Sequence, residues 1–459
     1  MKGYNIIYQN KLYEVNKLGI LDFLSEIIGG AITPFFIFIS AAILIPSCKI
    51  GKILSPKKFK RYLTDLPQNS GTTPFSALSV ALAGTLGVGN ITGVASALIS
   101  GGPGAVLWMW IGAIIVLAVK YAEVYLAVEY RKKDRKGFYG GAMYYIRDGL
   151  SKKITYRISS VFGGIFALLC IANSLITGNI VQSNSAVCVI PGNYRLLCGL
   201  ILAFFVLISI IYGTRKIEKI TSKLIPPLSL LYMAISLYII FLNLSLIPDI
   251  LKKIICSAVS PRAVFGAGVG FSVREAMRFG VMRGIFSNEA GCGTSPTAHA
   301  TANTKSPVHQ GCFGIVEVIF DTIILCSMTA FVLLIADSKY KIIPWRNDCD
   351  SAAVTIRSFE ALSGNGVYYI LMISVVLFAY ASIIAQIYYG TIAMKYLTHK
   401  KWPQIIYSSI SVLCTVIGSF ISSELMWCLA DIIIGTMTAA NCTVLVFMRE
   451  KLRSPYDQL

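Results

Sequence analysis

Two stretches decide how this chain folds. They are Gly84-Thr85-Leu86-Gly87-Val88-Gly89-Asn90-Ile91-Thr92-Gly93 and Arg283-Gly284-Ile285-Phe286-Ser287-Asn288-Glu289-Ala290-Gly291-Cys292-Gly293-Thr294-Ser295-Pro296. Each lies inside an apolar run long enough to cross a bilayer, about 20 residues. Each also carries what an unbroken lipid-facing helix rejects. Gly84, Gly87 and Gly89 weaken the first by about 1 kcal/mol each relative to Ala. Asn288, Glu289, Gly291, Gly293 and Pro296 interrupt the second, and a charge at bilayer depth costs about 2.5–3.5 kcal/mol even on a lenient scale. Such segments survive only where they are buried in protein or line a cavity. Interrupted spans in corresponding positions of two halves are the pattern of inverted-repeat transporters, whose freed helix ends hold a substrate carboxylate and a cation. Close helix packing is the competing reading of a membrane glycine, and it suits Gly101, Gly102, Gly163 and Gly164. Packing does not require Asn90 or Glu289.

The rest of the chain fits that frame. Of its 459 residues, 55% are hydrophobic and 14% charged, and the mean hydropathy is +0.68. A soluble domain carries about 25% charged residues, so an ordinary globule is excluded. Disorder is excluded because disordered chains are poor in apolar residues. Barrel strands would alternate polar and apolar over about 10 residues. The apolar runs fall at 28–48, 75–100, 104–128, 158–183, 195–213, 224–247, 262–301, 311–336, 367–393, 404–421 and 425–447. The expectation is an all-α polytopic membrane protein with eleven transmembrane helices. The formal net charge is +19, from 41 Lys+Arg and 22 Asp+Glu. With the N-terminus outside, 26 Lys+Arg fall in cytoplasmic segments, against 9 in external ones and 6 within the runs. That asymmetry predicts N-out, C-in, and makes membrane lipid, not nucleic acid, the partner of the charge. The basic cluster Lys49 to Arg61 follows the first apolar run instead of preceding it, the reverse of a signal peptide. The Cys are scattered in apolar runs without a CxxC pair and read as reduced core residues. No HExxH, Walker A or GxSxG pattern is present, so an enzyme is not expected.

The motifs resemble the alanine or glycine:cation symporter family, sodium-coupled amino acid transporters with the LeuT-type fold. The resemblance rests on the first stretch, on Gly101-Gly102-Pro103-Gly104-Ala105-Val106-Leu107-Trp108-Met109-Trp110, Lys120-Tyr121-Ala122-Glu123 and Gly141-Ala142-Met143-Tyr144-Tyr145-Ile146. It continues through Asn179-Ile180-Val181-Gln182-Ser183-Asn184 and Arg283 to Gly291. It implies a 5+5 inverted repeat with one extra N-terminal helix and two discontinuous helices. The units would be 1–74 (external arm, first helix, basic loop), 75–247 (first repeat), 248–447 (second repeat) and 448–459 (cytoplasmic tail). A small neutral amino acid, alanine or glycine in the D or L form, would enter with Na⁺ by alternating access. The membrane would be the cytoplasmic membrane of a bacterium, and no obligate protein partner is implied.

Carried over by position, Thr85, Gly87, Gly89, Asn90, Gln182, Ser287, Asn288 and Gln386 would form the substrate site. The carbonyls of Gly84 and Gly87 and the hydroxyl of Ser382 would hold Na⁺. The chain departs from the family pattern at Ala381, where a second hydroxyl is usual, and at Ala385-Gln386, where Gly-Trp is usual. Thr391 and Ala440 depart as well. These differences leave two alternatives, a proton-coupled carrier of another small polar amino acid and a non-transporting sensor on the same scaffold.

Four residues are gating or coupling candidates, each with competing roles. Glu289 is either a cation or amine partner or a cap for freed backbone amides. Glu317 and Asp321 stand one helical turn apart, where two carboxylates either share a proton or pair with neighbouring spans. Arg283, with Arg278, either forms a gate with acids such as Glu275 or snorkels to an interface. Glu123 and Lys120, spaced i,i+3, are expected to satisfy each other.

Overall fold

The computed structural model describes residues 19–64, 72–135, 137–190, 192–259, 263–265, 269–346 and 350–453. The expected external arm (1–18) and the end of the tail (454–459) lie outside the described residues. The rest is a helical bundle. In chain order the main helices are α1 (Gly19–Ser47), α2 (Pro74–Thr85), α3 (Val88–Gly101), α4 (Gly104–Glu129), α5 (Tyr156–Cys188), α6 (Arg195–Tyr212) and α7 (Thr214–Leu242). They continue with α8 (Val273–Asn288), α9 (Pro296–His299), α10 (Pro307–Tyr340), α11 (Ser351–Ser363), α12 (Asn365–Leu397), α13 (Lys401–Ile417) and α14 (Ser423–Phe447).

Among the described residues, eight helices are long and apolar enough to cross a membrane, and nine if the pair α2 and α3 is one span. The expected seventh and tenth spans correspond to α8, 16 residues, and α13, 17 residues. Both are shorter than a full crossing of about 20 residues. The segment 214–223, expected as a loop, is the first part of α7.

Local chemistry sets several helix starts. Thr73 caps α2, accepting from Ser76 N at 3.0 Å, with Pro74 in the first turn. Ser272 and Glu275 form a capping box at α8: Glu275 N donates to Ser272 Oγ at 3.1 Å, and Ser272 N donates to Glu275 Oε2 at 2.7 Å. Two short antiparallel hairpins complete the chain. One pairs Lys132–Asp134 with Gly137–Tyr139, the other Ala263–Phe265 with Val269–Phe271.

The bundle is apolar on its flank as well as in its core, and its interior also encloses charged groups, which a soluble protein keeps at its surface. Leu168, Phe204 and Phe241 are exposed on α5, α6 and α7, as residues facing lipid tails would be. Lys120, Glu123, His299, Glu317 and Asp321 are fully buried. Helix α4 is the central post, packed against α8, α10 and α1. The 11 described cysteines are free thiols.

Candidate functional site

The first stretch breaks as its glycines predict. α2 and α3 meet at an angle of 59°. Backbone amides freed at the bend need partners. Val88 N finds Gln182 Oε1 on α5, at 3.0 Å. Gly87 is where that approach is closest: a Cβ there would meet the Gln182 amide and come within 2.9 Å of Ser382 Oγ. Ser382 Oγ in turn donates to Gly84 O at 3.1 Å. Ser382, distant in sequence, therefore converges with Gly84 and Gly87 at one end of the break.

The other end of the break is tied to α8 and α10. Asn90 Nδ2 donates to Ser287 Oγ at 2.9 Å and to Asp321 Oδ1 at 2.8 Å. Asp321 Oδ2 accepts from Ser287 Oγ at 2.7 Å and from Thr322 Oγ1 at 2.8 Å. Asn288 Nδ2 reaches Thr322 Oγ1 at 3.0 Å. Asp321 and Thr322 lie in a π-helical stretch, Ile319–Cys326, and such widened turns recur at functional sites. Thr329 Oγ1 donates to Asn90 O at 2.7 Å, and Thr355 Oγ1 to Ile91 O at 3.1 Å. Neither threonine stood out in the sequence, because a threonine in an apolar helix ordinarily bonds its own backbone. α11, which carries Thr355, occupies a segment that carries no apolar run of spanning length.

The second stretch ends α8 at Glu289, which is left-handed at φ 52°. A non-Gly residue there costs energy unless its surroundings hold it. Thr294 Oγ1 donates to Glu289 Oε2 at 2.6 Å, and Gln386 Nε2 donates to Glu289 Oε1. Gly291 and Gly293 follow at φ 88° and 76°, values that a side chain would resist. The backbone groups loosened by this turn are met by α4. Lys120 Nζ donates to Asn288 O at 2.8 Å and to Ser295 Oγ at 2.5 Å. Glu123 Oε2 accepts from Gly291 N at 3.1 Å, and its Oε1 from Gly293 N at 2.8 Å and from Asn441 Nδ2 at 2.5 Å. Lys120 and Glu123 do not form the i,i+3 pair expected from their spacing. They face the break together, the cation on its carbonyl and the carboxylate on its amides, complementing the helix end. Only the position of α8 beside α4 reveals this.

Glu317 and Asp321 each have their own partners. Glu317 pairs with Lys120 at 3.1 Å and with His299 Nε2 at 2.9 Å, all three fully buried. Gln310 Nε2 lies 2.8 Å from His299 Nδ1. An amide N–H is a donor, so Nδ1 accepts and Nε2–H points at Glu317. Arg283 pairs with Asp431 on α14 at 2.8 Å, with side-chain exposures of 2% and 5%, and lies over the Trp427 ring at 4.1 Å. Glu275 is not its partner: Glu275 takes Arg346 at 2.9 Å.

A narrow cavity, with free space for about one water molecule, lies where the two breaks face each other. Gly84, Thr85, Gly89, Gln182 and Glu289 line it, with Asn173, Thr177 and Thr294. Gly87, Asn90, Ser287, Asn288, Ser382 and Gln386 are not among its lining residues; they bond to, or pack on, the segments that form it. Asn173 and Thr177 flank the π-helical segment Ile176–Val181 of α5 or lie within it.

Apolar flanks, buried charges and two broken helices around a narrow cavity are the features of a multi-pass membrane transporter, and the family and relatives that the chain matches are transporters, not enzymes. The chain belongs to the sodium:alanine symporter family, whose model matches residues 20–457. It is 36% identical to the sodium/alanine symporter AgcS of Methanococcus maripaludis over 378 residues, 82% of this chain and 81% of that one. It is 34% identical over 442 residues to an uncharacterized transporter of Haemophilus influenzae, 94% and 93% of the two chains. It is also 34% identical over 383 residues to the probable sodium/glutamine symporter GlnT of Bacillus subtilis, 83% and 77% of the two chains.

Proposed function

We propose that this chain is a secondary active symporter that carries a small neutral amino acid, with alanine and glycine as first candidates, into a bacterial cell together with Na⁺. The observation that carries the reading is the meeting of the two helix breaks around one cavity. Freed amides at the start of α3 suit a carboxylate, and freed carbonyls near Gly84 and Gly87 suit a cation. In this reading Thr85, Gly89 and Gln182, which line the cavity, face the substrate, and Gly87, Asn90, Ser287, Asn288 and Gln386, packed on the segments that form it, complete the site as the cavity opens. Gly84, Gly87 and Ser382 hold Na⁺. Arg283 and Asp431 close one end of the pathway, while Glu289, Glu317 and Asp321 couple its movements.

Eleven spans, counting the short α8 and α13, arrange as one extra helix and two five-span repeats, residues 75–247 and 248–447. The N-terminus is outside and the tail in the cytoplasm. Family membership supports transport, and the relatives named for sodium with alanine or glutamine support Na⁺ and a neutral amino acid.

The test is uptake of radiolabelled glycine, L-alanine and D-alanine into proteoliposomes, with an inward Na⁺ gradient, a pH gradient, or neither. Accumulation driven by Na⁺ is expected. Accumulation driven only by the pH gradient would reassign the coupling ion. Binding without accumulation would indicate a sensor, because a protein that does not couple flux cannot concentrate substrate.

A further inference from the structure

One short helix concentrates positive charge on a single face. The helix Pro56–Thr64 follows soon after α1 ends at Ser47. Its four cations, Lys57, Lys58, Lys60 and Arg61, are exposed, and none forms an ion pair among the described residues. Lys52, just before the helix, is exposed too. In sequence a single acid, Asp65, follows. The other face is apolar. Phe59, Tyr62 and Leu63, spaced i, i+3 and i+4, are half-buried against the core. The helix packs on the first turns of α10, and the Tyr62 ring meets His309 edge-on, with centroids 5.3 Å apart.

These contacts decide what the helix can bind. A free amphipathic helix sinks its apolar face among acyl chains. Here protein already covers that face, so attraction to a membrane falls to the cations. Ile45, near the end of α1, is exposed on the apolar flank, so acyl chains reach almost to the level at which the basic segment begins. Clustered Lys and Arg at that boundary attract anionic lipid, and each contributes on the order of fivefold in affinity near the surface.

We propose that the helix Pro56–Thr64 is a docking surface for anionic phospholipid headgroups, and that lipid held there steadies the Pro307 end of α10. Recognition is of charge and not of headgroup shape, because the cations stand on an open face. α10 also carries Glu317 and Asp321, so the bound headgroup acts on a helix that reaches the two breaks. The effect on transport rests on the symport proposed above; the binding does not.

The experiment titrates the purified full chain in detergent with phosphatidylglycerol, phosphatidylcholine or inorganic phosphate and follows the melting temperature. Only phosphatidylglycerol should raise it, and about 0.5 M salt should abolish the shift. Replacing the four cations together (Lys57→Gln, Lys58→Gln, Lys60→Gln and Arg61→Gln) should raise the half-saturating concentration at least about tenfold. Its melting temperature without lipid should match the wild type, since the packed face is untouched. The control Lys400→Gln with Lys401→Gln, two exposed cations on another loop, should titrate like the wild type. Uptake is then compared in vesicles of phosphatidylcholine alone and of about three parts phosphatidylcholine to one of phosphatidylglycerol. The anionic vesicles should raise wild-type uptake at least about threefold and leave the quadruple variant unchanged. An equal response to phosphatidylcholine, or an unaltered titration in the quadruple variant, would overturn the lipid surface. An equal response to inorganic phosphate would make it a site for soluble anions and overturn the lipid assignment. A melting shift with uptake indifferent to phosphatidylglycerol would overturn the action through α10. No uptake in either vesicle beside an intact melting shift would overturn the symport reading and uphold the surface.

Discussion

Single residues in this protein do what their buried partners demand of them. Glu123 accepts three N–H groups at the α8 break, and a glutamine has only one acceptor oxygen for them. Glu123→Gln should therefore leave at least one buried donor unpaired, at a cost of about 1–3 kcal/mol. The expected result is a lowered melting temperature in detergent and a larger loss of uptake, with helix content by circular dichroism unchanged. Arg283 and Asp431 make the opposite kind of test. Removing one member of a buried ion pair strands the other, at about 3–5 kcal/mol, whereas an apolar pair of similar volume is often neutral. Asp431→Asn should thus destabilise strongly. The double variant Arg283→Met with Asp431→Leu should recover most of the melting temperature but not transport, if the pair opens during the cycle. Recovery of both would show the pair to be purely structural. The sequence placed Arg283 next to a break. It could not say that its counter-charge lies on α14, because an ion pair spanning 148 positions leaves no local pattern.

At the scale of elements, the breaks were legible and their cross-links were not. Glycine spacing in 84–89 and the polar run 287–296 are local, and both become breaks between helices. The partners that hold them, Gln182 on α5, Asp321 on α10 and the Lys120–Glu123 pair on α4, depend on which helices pack together. Spacing alone paired Lys120 with Glu123, since i,i+3 neighbours meet on an isolated helix. A third helix changed the outcome by offering unsatisfied backbone to both. Gly87 tests the first break. Its added methyl group in Gly87→Ala would crowd the Gln182 amide that holds Val88 N and the Ser382 hydroxyl. Overpacking of this kind costs about 1–3 kcal/mol. Uptake should fall by about tenfold or more, with the variant still monodisperse on size exclusion. Unaltered uptake would mean that the break relaxes freely during transport.

For the whole molecule, the positive charge sets orientation. The short basic helix Pro56–Thr64 should face the cytoplasm and Lys341 the outside. In a background with Cys256→Ser, which removes the exposed thiol among the described residues, and Cys349→Ser, in the same loop as Lys341, Lys341→Cys should react with an impermeant maleimide on intact cells. Lys58→Cys should react only after permeabilisation, and the reverse pattern would invert the topology. Class, polytopic helical architecture and the places where spans break were set by the sequence alone. Burying backbone in lipid forces long apolar runs, and glycines and charges within them forecast the breaks. Tertiary structure alone decided which buried polar groups meet. It gave Asp431 to Arg283, Lys120 and His299 to Glu317, and Asn90 to Asp321. The physical reason is that a buried charge or freed amide accepts whichever complementary group packing brings within about 3 Å, and packing is a property of the assembled bundle, not of any one helix.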